Sequence, residues 1–202
     1  MNILEKVKTA TRERHNEMEA VAFSDKIAAQ SLSLQEYKAL ILGHYVFHRE
    51  TEAKLLKITA LQTLDELKIS ERMKSGLLLA DLQQLQLEPY LFSFQPDLQL
   101  NHPAQALGCM YVMEGATLGG SVIQRSLVKI PEIARSGALH YYGCYGDQTG
   151  SRWKQFKQVV EQQVVSDEEQ QQFLQSADDT FEQYAACMKT AVQQLSAEII
   201  RT

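Results

Sequence analysis

The sequence contains few of the residues that interrupt helices. It has 202 residues but only four prolines and ten glycines, nearly all of them between residues 76 and 150. Outside that segment, long tracts contain neither residue and follow the three- and four-residue spacing of apolar side chains that is typical of helices. Alternating apolar and polar residues, as in a half-buried strand, never extend beyond a few positions. The sequence therefore predicts an all-α protein.

Cysteine, positive charge and long apolar runs are also scarce. The three cysteines (Cys109, Cys144 and Cys187) are widely spaced and form no C-x-x-C motif, which favours buried thiols in a reducing compartment. A net charge of −5 gives no general attraction to nucleic acid or to an anionic membrane. No run reaches the roughly 18 apolar residues of a membrane span, and charged residues occupy the N-terminal positions where a signal peptide would be apolar. We expect a cytoplasmic protein, and the lack of a linker predicts a single domain over residues 1–202.

Capping motifs and apolar periodicity indicate where the helices begin and end. Ser33 with Glu36, and Ser166 with Glu169, have the spacing of capping boxes, while Asn101 and Pro103 mark another helix start. The predicted helices cover residues 2–18, 22–30, 34–57, 70–87, 103–128, 150–163 and about thirty residues from 167.

The first predicted helix combines a histidine with two cations. Leu4, Val7, Thr11, His15 and Met18 recur at three- and four-residue steps, so His15 lies on the stripe expected to face inward. Arg12, one turn before His15, and Lys8, two turns before it, flank that stripe. One interpretation is a histidine at the edge of the core beside surface charges. The other is an imidazole that binds a metal, with cations for the acidic groups of the same ligand. A single histidine cannot hold a bare ion tightly, but it can be the sole protein ligand of haem iron.

Glycines are concentrated in the helix that contains Y-V-M-E-G-A-T-L-G-G-S-V-I, residues 111–123. Each of the three glycines in this stretch costs a helix about 1 kcal/mol relative to alanine. Close packing between helices would account for them. A flat ligand lying against the backbone would do so equally well.

Two further histidines, His44 and His48, are four residues apart on the third predicted helix. This spacing can bind zinc, but no third ligand is evident. A di-iron site would require repeated Glu-x-x-His pairs on other helices, and the sequence has none. We therefore expect packing and hydrogen bonding from this pair, and we expect Tyr142, Tyr145 and Trp153 to pack a loop.

The helix with His15 and the glycine-rich helix together resemble the haem oxygenase family. V-K-T-A-T-R-E-R-H-N-E-M-E is similar to the family's proximal helix, and E-G-A-T-L-G-G is similar to its distal helix in bacterial members often associated with phytochromes. Y-G-C-Y-G-D-Q-T-G-S-R-W-K-Q-F and A-D-D-T-F-E-Q-Y resemble the C-terminal part of the family. The resemblance covers about residues 3–190.

This resemblance implies a haem-degrading monooxygenase in which haem is both cofactor and substrate. Electrons would come from a ferredoxin or a reductase, O₂ would open the ring, and the products would be biliverdin, carbon monoxide and iron. His15 would be the axial iron ligand and Glu19 would orient it. The other implied haem contacts are Lys8 and Arg12 at the propionates, Gly115, Gly119 and Gly120 at the porphyrin face, and Phe181 from the last helix.

The resemblance fails at one position of the distal helix. Many family members have an aspartate in G-D-L-S-G-G that holds a water network for proton delivery, and Ala116 occupies that place here. Glu114 is then the nearest candidate for the catalytic role. A haem-binding or haem-sequestering protein without turnover is therefore an alternative function. A helical oxidase with a di-iron or organic cofactor would need clusters of carboxylates and histidines that the sequence lacks.

Overall fold

The computed structural model describes residues 1–199, which form ten α-helices and no β-strand. This confirms the predicted all-α class. The helices are α1 (Ile3–Ala10), α2 (Arg12–Val21), α3 (Ser24–Ala28), α4 (Leu34–Leu55), α5 (Thr59–Gln62), α6 (Ser75–Gln84), α7 (Pro103–Leu127), α8 (Pro131–Ser136), α9 (Thr149–Gln163) and α10 (Asp167–Ile199).

The long helices begin at the caps that the sequence predicts. Before α4, the Ser33 side chain accepts a hydrogen bond from the Glu36 N–H, and the Glu36 carboxylate accepts one from the Ser33 N–H in return. Ser166 and Glu169 make the same reciprocal pair before α10. Helix α7 begins at Pro103, and the side chain of His102 caps it. Each cap satisfies N–H groups that have no partner within the helix.

Two predicted helices are interrupted in the structure. The first divides at Thr11, whose hydroxyl donates to the Val7 carbonyl at 2.8 Å, a contact that bends helices. The helix predicted at 70–87 is instead a 3₁₀ turn over Ile69–Arg72 followed by α6. Residues 72–74 leave the helical path because Arg72 and Lys74 turn into the interior, where both are buried. The short helices α5 and α8 were not predicted.

Three long helices form the core. Helix α10 packs along α7 and along α4, while α6 packs against α4 and α9 against α7. By length and composition α7 is the one helix within residues 1–199 that could cross a membrane, but 56% of its most apolar 18-residue segment is buried inside the protein. Its apolar character is therefore accounted for by its place in the core.

Helices α1 and α2 lie against α10 and are attached to it by polar contacts. Arg14 contacts Asp178 and Glu182 of α10, the latter at 2.8 Å, and Lys189 contacts Glu17 at 2.6 Å. Helix α1 buries Ile3 and Val7, whereas α2 buries no residue. Because α2 is held at its outer edge and not packed into the core, its inner face borders an open space.

Candidate functional site

A cavity of about 800 Å³ lies between α1–α2 and α7. Its other walls come from α9, α10 and the loop that carries Tyr141 and Tyr142. The volume falls within the range of about 300–1,000 Å³ that is common for small-molecule and cofactor sites. The cavity is therefore large enough for an organic ligand.

Most of the predicted site residues line this cavity. They are Lys8, Arg12, His15, Glu19, Gly115, Gly119 and Phe181. Gly120 and Glu114 are not part of its lining. The fold thus brings together residues from α1, α2, α7 and α10 that are up to 173 positions apart in the chain.

His15 faces the cavity and not a packed interior. Its side chain is 59% exposed, and its Nδ1 lies 3.7 Å from the Glu19 carboxylate, one turn along α2. The Phe181 ring meets it edge-on, with 5.9 Å between ring centres. A carboxylate beside Nδ1 leaves Nε2 as the nitrogen available to a ligand.

Helices α1 and α2 contribute two cations, Lys8 and Arg12, to the cavity. Among the residues whose side chains the structure describes, no carboxylate oxygen lies within 4.0 Å of the charged nitrogens of Lys8 or Arg12. Arg14, on the same helix but outside the cavity lining, is paired with Asp178 and Glu182. The cavity therefore keeps positive charge available for an acidic ligand.

A third cation, Lys157 on α9, also lines the cavity and has no carboxylate partner among those described side chains. Sequence reasoning missed it because the face that α9 presents depends on packing. Trp153, one turn earlier, was expected to pack a loop but lies within α9 and lines the cavity too. The i, i+4 spacing of Trp153 and Lys157 was the available indication that they share a face.

Three of the four glycines of α7, at positions 115, 119 and 120, have two different functions. A Cβ at Gly115 or Gly119 would meet nothing closer than 3.9 Å or 3.8 Å, so both positions leave open space in the cavity wall. A Cβ at Gly120 would lie 2.8 Å from the Tyr142 carbonyl oxygen. Gly120 is buried and lets the backbone of the 141–142 loop approach α7. The expectation that Gly120 faces a ligand is therefore corrected: it packs the loop.

Glu114 is also corrected by the structure. Its side chain is 2% exposed and binds the Arg72 guanidinium, the Lys74 ammonium at 2.5 Å and the Tyr145 hydroxyl at 2.9 Å. Successive residues of a helix point about 100° apart, so Glu114 turns away from the side that Gly115 presents to the cavity. Its carboxylate neutralises two buried cations and is not available as a proton donor in the cavity.

His44 and His48 are held by hydrogen bonds within the protein. The ring nitrogens of His44 contact the hydroxyls of Tyr184 at 2.5 Å and Tyr142 at 3.2 Å. Burial, followed by the neighbouring His48, lowers the pKa of His44 to about 3, so its ring is neutral at physiological pH. His48 Nδ1 contacts the Glu52 carboxylate at 2.9 Å. All of these ring nitrogens therefore have partners, as expected for histidines that pack and hydrogen-bond.

A site for a bare metal ion is not evident in the described part of the chain. No group of three or more His, Cys, Asp or Glu side chains there could hold such an ion. The cavity offers instead one imidazole with few contacts, a flat glycine wall opposite and cations without partners. That donor set fits a planar acidic group which already supplies most of the ligands of its metal.

The chain matches one family over nearly its whole length. Residues 1–190 match the Heme oxygenase family model. A heme oxygenase from Xanthomonas campestris pv. campestris is 35% identical over 82 residues, which is 40% of this chain and 48% of that protein. The chain thus matches about half the length of this curated relative.

Solved structures of heme oxygenases have the same fold. The NO- and CO-bound heme oxygenase from Neisseria meningitidis aligns with a TM-score of 0.74 at 18% identity, covering 96% of this chain and 93% of that one. The heme oxygenase from Leptospira interrogans gives 0.70 at 18% identity, covering 94% and 100%. Heme oxygenase-1 from the cyanobacterium Synechocystis sp. PCC6803, in complex with heme, gives 0.74 at 14% identity, covering 98% and 96%. At these identities the likeness concerns the all-α fold.

Proposed function

The chain belongs to the haem oxygenase family, and from this we propose that it binds haem in the cavity and cleaves it oxidatively to biliverdin, carbon monoxide and iron. The observation that carries the proposal is the placement of His15. Its imidazole stands exposed in a cavity whose cations and glycine wall suit a flat, acidic, iron-bearing ligand.

We propose that His15 would hold haem by binding its iron through Nε2. The Glu19 carboxylate, 3.7 Å from Nδ1, would favour the tautomer with its proton on Nδ1 and its lone pair on Nε2, and would make Nε2 a stronger donor. The Phe181 ring limits rotation of the imidazole from the other side. The sequence position and the surroundings of His15 support the same role.

The cations hold and orient the acidic edge of the ligand. Lys8 and Arg12 extend from α1–α2, and Lys157 extends from α9. Among the described side chains none of these cations has a carboxylate partner, so a propionate could form a charge-assisted hydrogen bond with any of them without breaking an existing ion pair. Glu5 and Glu161 also border the cavity and disfavour placing propionates near their own positions.

Gly115 and Gly119 would form the wall of the cavity toward the porphyrin face. Their missing side chains leave open space that a flat ring could occupy. When bound, haem supplies the iron that activates O₂ and the ring carbon that is oxidised, with electrons from a ferredoxin or a reductase. The chain itself would set the orientation of the ring through His15 and the cations of the cavity.

A haem-binding protein without turnover is the second candidate function, and Ala116 is the observation that favours it. A methyl group lines the cavity where many family members carry an aspartate, and Glu114 is occupied elsewhere. Both functions require His15 and the same cavity. They differ in whether the protein promotes reaction of bound haem with O₂.

One experiment separates the two functions. Hemin is added to the purified protein, the Soret band is recorded, and a reductant is supplied in air. Loss of the Soret band with growth of biliverdin absorbance supports the enzyme, whereas a stable haem spectrum supports the binding protein. A wild-type protein that gives no Soret shift at all would refute both.

Variants of helices α1–α2 test the assigned contacts. We expect His15→Ala to abolish turnover, with partial recovery on adding imidazole; full turnover without imidazole would contradict the axial assignment. Arg12→Ala should weaken hemin binding more than Arg14→Ala does. Arg14→Ala is the matched control, since it removes the same charge from a residue that is already paired outside the cavity.

We further propose that the protein works in the cytoplasm and supplies biliverdin to a bacterial phytochrome. The three free cysteines are compatible with a reducing compartment, and the form of the E-G-A-T-L-G-G segment supports the pathway. Co-expression with a phytochrome apoprotein should yield the coloured holoprotein. An apoprotein that stays colourless, although biliverdin is formed, would count against this role.

A further inference from the structure

The 141–142 loop, which joins α8 to α9, forms the inner end of the cavity. Tyr141 and Tyr142 line the cavity although they are only 5% and 8% exposed, and His44 of α4 lines it beside them and is equally buried. Lys8 and Arg12 line the same cavity but are exposed at the protein surface. The cations of α1 and α2 therefore stand at the mouth of the cavity, and the loop tyrosines close its inner end.

The two loop tyrosines pack against His44 and against each other. The centre of the Tyr141 ring lies 4.8 Å from that of His44 and 5.1 Å from that of Tyr142. The Tyr142 hydroxyl lies 3.2 Å from His44 Nε2. Because His44 belongs to a long helix of the core, the shape of this wall depends on where the backbone of the loop lies.

Asp81 of α6 holds the backbone of the loop at this point. Its Oδ1 accepts a hydrogen bond from the His140 N–H at 2.9 Å, and its Oδ2 accepts one from the Tyr141 N–H at 2.9 Å. His140 Nδ1 lies 2.7 Å from the same Oδ1. Asp81 is fully buried, and neither it nor His140 lines the cavity. A buried carboxylate is costly unless it is hydrogen-bonded, so Asp81 and the loop stabilise each other.

Two other helices hold the part of the loop that comes before. On α4 the Tyr37 hydroxyl donates to the Ala138 carbonyl, and on α7 the Gln124 side chain donates to the Leu139 carbonyl at 3.2 Å. Asp81 holds the two residues that follow, and the second of these lines the cavity. The contact with Asp81 is therefore the one nearest to the wall itself.

We propose that Asp81 is a positioning residue for haem, because it holds the 141–142 loop and thereby fixes the shape of the inner end of the cavity. Haem can enter with either face toward His15, and the two orientations place different methyl and vinyl groups against the loop tyrosines. A wall held in one position favours one of these orientations. The proposal rests on the proposed function, since it requires haem in this cavity.

The hold of Asp81 on the loop can be tested without haem. Amide hydrogen exchange of the haem-free protein, followed by NMR, measures the protection of the His140 and Tyr141 N–H groups. We expect protection comparable to that of amides inside α6, although both residues lie in a loop. Exchange at the rate of an exposed loop amide would overturn the proposal whatever the protein does with haem.

The variant Asp81→Asn makes this test sharper. One carboxylate oxygen becomes an NH₂ group, which cannot accept, so the N–H of either His140 or Tyr141 loses its acceptor. We expect at least one of these amides to exchange about tenfold faster than in the wild type. Unchanged exchange at both would overturn the proposal. Should Asp81→Asn fail to fold, the wild-type exchange rates alone decide whether the loop is held.

Glu169→Gln is the matched control. It makes the same change in a carboxylate that accepts hydrogen bonds from two neighbouring backbone N–H groups, those of Val165 and Ser166, and none of these three residues lines the cavity. The exchange of the His140 and Tyr141 amides should be unchanged in this variant. Faster exchange there would mean that any lost carboxylate loosens the loop, and the particular role of Asp81 would be overturned.

The effect on haem is tested with the ferric, cyanide-bound, haem-loaded protein. Its haem methyl ¹H signals lie outside the protein envelope and form one set for each orientation of the ring. At equilibrium we expect the fraction of the minor set to rise about twofold or more in Asp81→Asn and to keep the wild-type value in Glu169→Gln.

The ratio of the two signal sets separates positioning from mere support of the fold. A residue that only stabilised the fold would leave this ratio unchanged in the folded variant. An unchanged ratio in an Asp81→Asn protein whose loop amides exchange faster would therefore overturn the proposal. Failure of the wild-type protein to bind hemin would instead refute the proposed function, so the two failures are distinguishable.

Discussion

Lowering the pH from 7 to 5 should destabilise the haem-free protein because His44 is buried as a neutral imidazole. Burial lowers the pKa of His44 to about 3 in the folded protein, whereas a histidine in an unfolded chain has a pKa of about 6.5. Between these two values the unfolded chain binds more protons than the folded one. Stability therefore falls as the pH falls through this window.

The size of the effect follows from the two pKa values. One pKa unit corresponds to about 1.4 kcal/mol, and at pH 5 an unfolded histidine is about 1.5 units below its pKa while folded His44 is still neutral. His44 alone should thus remove about 2 kcal/mol of stability between pH 7 and pH 5. Burial also lowers the pKa of His48, although Glu52 opposes this, so His48 acts in the same direction.

The assay is urea unfolding of the haem-free protein, followed by circular dichroism at pH 7, 6 and 5. The matched variant is His44→Gln, whose amide can still contact Tyr142 and Tyr184 but does not titrate. We expect the loss of stability over this range to be about 2 kcal/mol smaller in His44→Gln than in the wild type. Equal losses in the two proteins would mean that folded His44 takes up a proton in this range, and the reasoning from its burial would be refuted.

Three other substitutions test the assignments on α7. Gly119→Ala should raise the free energy of unfolding by up to about 1 kcal/mol, because its Cβ meets only open space. Gly120→Ala should lower the free energy of unfolding by about 1–3 kcal/mol, because its Cβ would press on the Tyr142 carbonyl. Chemical denaturation measures both variants, and equal effects would contradict the assignment of Gly119 to the cavity and Gly120 to the loop contact. Glu114→Gln should lower the free energy of unfolding by about 3–5 kcal/mol, because it leaves the charges of Arg72 and Lys74 uncompensated. The folded variant should still bind hemin with a normal Soret band. Loss of that band without loss of stability would show that Glu114 acts in the cavity.

The starts of the long helices could be predicted because they depend on residues close together in the chain. Ser33 with Glu36 and Ser166 with Glu169 form their caps locally, and the structure has both. The interruption at residues 72–74 could not be predicted in this way. Arg72 and Lys74 leave the helix to reach Glu114, about forty positions away, and no local pattern reveals that partner.

The same distinction applies to the candidate site. Lys8, Arg12 and His15 are three and four residues apart, so the helical repeat by itself brings them to one side of α1–α2, and all three line the cavity. Lys157, His44 and Tyr142, which also line the cavity, have no such local relation. They meet only because α4, α9, α10 and the 141–142 loop pack around one space.

What the sequence by itself determined is therefore the all-α class, the starts of the long helices and the line of charged and imidazole groups along the first predicted helix, since these follow from spacing within a few residues. The tertiary structure alone decided which way each residue of α7 points. Neighbouring residues of a helix differ by about 100° in direction, so the rotation of α7 about its axis turns Glu114 to Arg72 and Lys74, Gly119 to the cavity and Gly120 to the loop. That rotation is set by packing against α9 and α10, which no segment of the chain specifies alone.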